Sequence, residues 1–110
     1  MKKIKFLVQG SAEEPYEVIF KKVESNLTAL CSCPAGQNGM YCKHRFRILT
    51  GSIEGIVSDN LNETELVNSW LAGSDIELAM IELTEAEKEF MKAKKKVSDC
   101  KKKLARKMLD

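Results

Sequence analysis

The chain has 110 residues, 44% of them hydrophobic, 31% charged and 6% aromatic, with a formal net charge of +2. That length allows one domain, or a small domain with an appendage, and no apolar run approaches the roughly 20 residues a membrane span needs. The small net charge hides an alternation: residues 1–50 sum to +4, residues 51–91 to −9 and residues 92–110 to +7, so charge is segregated along the chain.

From the N-terminus, Ile4, Phe6 and Val8 alternate with polar or mixed neighbours, as a half-buried strand requires. The apolar run there is too short and too interrupted for a secretory signal. Gly10 to Pro15 reads as a loop, Tyr16, Val18 and Phe20 as a second strand, and Glu24-Ser25-Asn26 as a turn. Leu27, Ala29, Cys31 and Cys33 then share one face of a third strand, and an antiparallel meander is the simplest connection.

The stretch Cys31 to His44, C-S-C-P-A-G-Q-N-G-M-Y-C-K-H, holds three of the four cysteines and the only histidine. Three thiolates and an imidazole are a standard structural zinc set, with all four tetrahedral positions taken and none left for a reacting water. Cys31 and Cys33, two apart in extended chain, reach the same side. Pro34, Gly36 and Gly39 then turn the backbone. Mid-helix, the i,i+2 spacing of Cys42 and His44 would splay them, so Cys42 is placed at or just before a helix start with His44 in its first turn. Two disulfides would belong to an oxidising compartment, and Cys31 and Cys33 are poorly disposed to pair. An iron–sulfur cluster usually takes cysteine at every corner.

The pattern C-x-C-x8-C-x-H, with Pro34 after the second cysteine and Lys43 between the last two ligands, resembles the SWIM zinc finger family over roughly residues 16 to 50. The resemblance implies a ββα zinc-binding module with Cys31, Cys33, Cys42 and His44 as ligands. It also implies a role in DNA binding or protein–protein contact, usually within larger proteins. About fifty residues bury little apolar surface, whereas zinc is worth on the order of 10–16 kcal/mol in small fingers. The ion is therefore expected to decide whether the segment folds.

A short helix is expected from about Cys42 to Thr50, with Phe46, Ile48 and Leu49 as core candidates and Gly51 as its stop. The expected class is α+β. A finger at residues 1–51 is followed by a linker at 52–60 and a helical extension at 61–110. Asn62 with Glu65 resembles a capping box opening a helix at about 61–72, in which Trp70 serves as a packing anchor. Ser74 with Glu77 resembles a second box, and from Asp75 no Gly or Pro interrupts a helix to about 109. Ile76, Leu83, Phe90, Val97 and Leu104 keep a seven-residue beat, with Ala79, Ala86, Ala93 and Cys100 three residues after the first four. Either this stripe packs on the chain's own short helix and sheet, or it pairs with a second copy. Charge favours an antiparallel homodimer through residues 75–109, with Glu82 meeting Lys103 and Glu89 meeting Lys96. Cys100 is read as a small core residue.

No phosphate-cradling glycine motif and no second histidine occur, so the chain reads as a non-enzyme. Two functions remain. Lys43, Arg45 and Arg47 surround the last ligands, and Lys2, Lys3, Lys5, Lys21 and Lys22 could extend a basic face toward nucleic acid. Nucleic acid is the leading expectation; the alternative is a protein–protein adaptor whose finger and long helix mediate assembly. Thiol ligands without an export signal fit the reducing cytoplasm.

Overall fold

The computed structural model describes residues 2–110, which divide into two compact units at Glu77 and Leu78. In the first, three antiparallel strands run in the order β1 (Lys2–Val8), β2 (Tyr16–Val23) and β3 (Asn26–Cys31). The register pairs Ile4 with Phe20, Phe6 with Val18, and Val18 in turn with Cys31. Alternation therefore places Ile4, Phe6, Val8, Val18, Phe20 and Leu27 on one buried face. Phe6 and Phe20 meet edge to face with ring centroids 6.0 Å apart.

Three short helices accompany the sheet: α1 (Pro34–Gln37), α2 (Lys43–Leu49) and α3 (Thr64–Leu71). Ile48 and Leu49 of α2 and Val67 and Trp70 of α3 complete the buried apolar set. Gly51 N–H bonds to the Ile48 carbonyl and Ser52 N–H to that of Arg47, the paired closure that ends many helices. Asn68 of α3 donates to the Ile48 and Leu49 carbonyls at 2.9 and 3.3 Å. The end of α2 is thereby satisfied from a neighbouring helix.

Several local expectations differ. Residues 52–60, read in the sequence as a linker, run along the free edge of β1. Gln9 N–H bonds to the Gly55 carbonyl and Val57 N–H to that of Leu7, both at 2.8 Å. Ser58 Oγ accepts from Leu7 N–H at 3.1 Å. The sheet edge supplies unpaired backbone groups, and this segment satisfies them. The Asn62–Glu65 box does not form. A 3-10 turn at Leu61–Glu63 leads into α3 with no side-chain cap, and Thr64 Oγ1 donates back to Leu61 O at 2.8 Å.

The last helix, α4 (Asp75–Leu109), begins inside the first unit, where Ser74 is fully buried. Ser74 Oγ accepts from Glu77 N–H at 3.2 Å, and Glu77 Oε1 accepts from Gly73 N–H at 3.0 Å. Asp75 Oδ1 accepts from Leu27 N–H at 2.9 Å, which joins the helix start to β3. The second unit, residues 78–110, is the remainder of α4. Every residue from Ile81 to Asp110 is exposed. The heptad positions Leu83, Phe90, Val97 and Leu104 are thus exposed, and Cys100, expected as a core residue, is an exposed free thiol.

Candidate metal centre

Strand β3 ends at Cys31, and its pairing with Val18 turns that thiol to the core face. Cys33 does not belong to the strand. It stays extended (φ −66°, ψ 160°) and acts as N-cap of α1, its Sγ accepting from Gly36 N–H at 3.3 Å. Pro34 occupies the first position of that one-turn helix, where a missing N–H costs nothing. Cys42 is the N-cap of α2 in extended conformation and His44 lies in its first turn, as the ligand spacing requires. A strand end, a tight turn and a helix start thus deliver four donors to one place.

The donor atoms of Cys31, Cys33, Cys42 and His44 all lie within 4.8 Å of one another, and all four residues are buried. Cys33 Sγ to Cys42 Sγ is 3.4 Å, Cys42 Sγ to His44 Nδ1 is 3.5 Å, and Cys31 Sγ to His44 Nδ1 is 3.8 Å. Zn–S bonds of about 2.3 Å and a Zn–N bond of about 2.0 Å give a tetrahedron with edges of roughly 3.5–3.8 Å. The three donor separations of 3.4–3.8 Å match those edges, and Nδ1 is the imidazole nitrogen that faces the thiols.

Electrostatics agree with that fit. Burial pushes the Cys31 thiol up to about 12, with the neighbouring Cys33 and Cys42 adding to the rise. Burial also acts to raise Cys42, but the Arg45 backbone N–H and hydrogen bonds from Cys33, His44 and Cys31 outweigh it and hold that thiol at about 6. Three adjacent thiolates are not sustainable in such a pocket without a cation. A divalent ion supplies the missing positive charge, and binding it expels protons.

Two glycines and one arginine complete the site in roles that their sequence positions do not signal. A Cβ on Gly36 would run into the Cys31 carbonyl oxygen and sit 2.9 Å from Cys31 Cβ. A Cβ on Gly10 would lie 2.5 Å from Tyr16 Cε2 and 3.2 Å from His44 Nε2. Tyr16 packs on His44 at 5.1 Å between ring centroids, walling the imidazole on its outer side. Arg45, expected at a nucleic-acid surface, instead donates to Ala29 O at 3.1 Å and Met40 O at 2.6 Å. Its planar fork ties β3 to the loop before α2.

The other expected basic residues are dispersed. Lys3, Lys5 and Lys21 alternate with buried Ile4, Phe6 and Phe20, so they lie on the sheet face opposite the metal and α2. Lys5 pairs with Glu17 at 3.3 Å, and Lys22 donates to Trp70 O at 2.8 Å at the end of α3. Lys2 is exposed on β1. Lys43 is exposed between two ligands and Arg47 follows one turn later on α2. Tyr41, two residues before Lys43, is 65% exposed and packs on Phe46 at 5.5 Å.

Three thiols and one imidazole closing a tetrahedron at a strand–helix junction define a structural zinc-binding module of the α+β class. The model of the SWIM zinc finger family matches residues 6–49. That segment, from β1 to the end of α2, is a SWIM-type zinc finger holding one structural zinc through Cys31, Cys33, Cys42 and His44. No curated protein and no solved structure matches the chain. Among the described residues no helix is long and apolar enough to cross a membrane.

Proposed function

We propose that this chain is a non-catalytic protein-interaction adaptor, with a zinc-ordered head and α4 as its assembly arm. The observation that carries this reading is the uninterrupted exposure of residues 81–110 along a helix whose Leu83, Phe90, Val97 and Leu104 recur every seven residues. Phe90 and Leu104 are 65% and 56% exposed, a pattern that suits a partner helix rather than water. Charge points the same way. Residues 2–77 carry eight Lys/Arg against ten Asp/Glu, a poor starting point for a polyanion. Three of the basic residues there are already engaged with carbonyls or a carboxylate.

A second reading, nucleic acid at the rim of the finger, is favoured by the exposed ring of Tyr41 two residues before exposed Lys43, with Arg47 one turn further along α2. A base could stack on that ring while the two cations meet phosphates. Titrating the zinc-loaded full chain with DNA and RNA at two salt concentrations separates the two. The adaptor reading expects no binding at physiological salt and no change in a Lys43→Glu/Arg47→Glu variant. Binding that falls steeply with salt and is lost in that variant overturns it.

A further inference from the structure

We propose that residues 79–104 of α4 pair antiparallel with the same segment of a second copy, with the two-fold axis passing between Met91 and Lys92. This rests on α4 being an assembly arm and names what the arm holds. The register follows from size and charge. Antiparallel alignment about that point sets Phe90 against Ala93 of the second copy, Leu83 against Cys100, Val97 against Ala86 and Leu104 against Ala79. Each layer then contains one large and one small side chain, so two helices approach closely without a void. Ala93, Val97, Cys100 and Leu104 already line a shallow apolar groove on the helix surface.

The flanking charges select the same arrangement. Glu82 meets Lys103 of the second copy, Glu89 meets Lys96 and Glu87 meets Lys94, and symmetry repeats each pair. Parallel alignment would face Glu82 with Glu87 and Lys96 with Lys101, leaving only Glu89 with Lys94 attractive. Parallel layers would also stack Phe90 on Phe90 and alanine on alanine. An unrelated helix as partner gives no reason for one segment to carry two halves complementary about a single point. A polyanion would use the basic half and leave the apolar positions and the acidic half idle.

Sedimentation equilibrium of the zinc-loaded full chain is expected to show a dimer at micromolar concentration; a monomer at high micromolar concentration overturns the proposal. Cys100 then reports orientation. In a parallel pair the two Cys100 thiols oppose each other and oxidise to a disulfide. In the antiparallel pair they lie 17 residues apart along the axis, about 25 Å, far beyond disulfide reach. Oxidised wild-type protein is therefore expected to stay uncrosslinked, while Leu83→Cys gives a reducible covalent dimer that Cys100→Ser removes. Wild-type crosslinking that depends on Cys100 overturns the orientation. Because Leu83→Cys also trims an apolar layer, charge variants give an independent reading. Glu82→Lys/Glu89→Lys and Lys96→Glu/Lys103→Glu are each expected to self-associate at least tenfold more weakly, and to pair with each other when mixed. Failure of the mixture to pair overturns the register. A monomer that ignores nucleic acid removes the self-pairing alone, whereas a dimer that binds nucleic acid at the finger removes the adaptor reading alone.

Discussion

Residues 2–77 and residues 78–110 come from one chain, yet they are held in shape by opposite means. In the first, the decisive bonds join residues far apart in sequence: β1 to β2, Cys31 to His44, Leu27 to Asp75. Below about eighty residues such a unit has a small core, and the ion adds a crosslink where strand, turn and helix meet. In the second, each backbone bond spans one helical turn, and 33 residues without Gly or Pro supply the propensity. The head therefore depends on a metal for its fold. The tail needs no metal, and its apolar stripe is left exposed.

Removing the metal should break this comparison most severely. His44→Ala, Cys42→Ser or a strong chelator takes away a binding energy on the order of 10–16 kcal/mol, more than a small domain's whole stability. Amide dispersion from residues 2–77 is expected to collapse in NMR spectra, while circular dichroism keeps a helical signal from α4. A metal-free ligand variant with native dispersion would contradict the account.

Acidification is a graded form of the same loss. The zinc-bound state carries no proton on Cys31, whereas the metal-free pocket keeps one until about pH 12. Acid therefore favours release. Cys42, held at about 6, adds a second displaced proton only as pH falls through that value. Zinc affinity is expected to drop by at least about tenfold per pH unit from about pH 8 to 6, and more steeply below. Competition titrations against a chelator of known affinity measure the slope, and a flat profile would count against thiolate ligation. The secondary structure of α4 should not respond over that range.

Gly36→Ala tests how tightly the turn is drawn. The added carbon meets backbone, namely the Cys31 carbonyl, so a side-chain rotation cannot relieve it. Shifting α1 away would drag Cys33 off the metal, and the expected cost is about 1–3 kcal/mol, or roughly a tenfold to hundredfold loss of zinc affinity. Gly10→Ala meets the movable ring of Tyr16 and should cost less. Equal affinities for Gly36→Ala and wild type would show that the turn has slack.

Much of this was readable from sequence because it is governed by local rules. Alternation at Ile4, Phe6 and Val8 and at Tyr16, Val18 and Phe20 marks the strands, and thiol chemistry with i,i+2 spacing marks the ligands. Ser74 with Glu77 marks the start of α4. What was not readable depends on partners chosen in three dimensions. Nothing in the spacing of Arg45 distinguishes a guanidinium bound to Ala29 and Met40 carbonyls from one facing solvent. Residues 52–60 have loop composition, and only the free edge of β1 makes them an edge segment. Gly36 reads as one of two turn glycines, yet Gly39 has nothing near its missing Cβ while Gly36 is pressed against Cys31.

Ser74 lies where the two kinds of stability meet, and Ser74→Ala should have the smallest effect. Its hydroxyl accepts from Glu77 N–H and donates to the Leu71 carbonyl at 2.7 Å, so one side chain both starts α4 and finishes the turn after α3. Losing an N-cap typically costs about 1 kcal/mol, and the Leu71 carbonyl keeps its bond from Ser74 N–H at 3.0 Å. The urea midpoint of the zinc-loaded protein should fall by an amount equivalent to about 1 kcal/mol. The helical signal of the metal-stripped protein should scarcely change, because a cap governs only the first turn of a 35-residue helix. A large loss of helicity without metal would mean that the tail draws its order from its start rather than from its length.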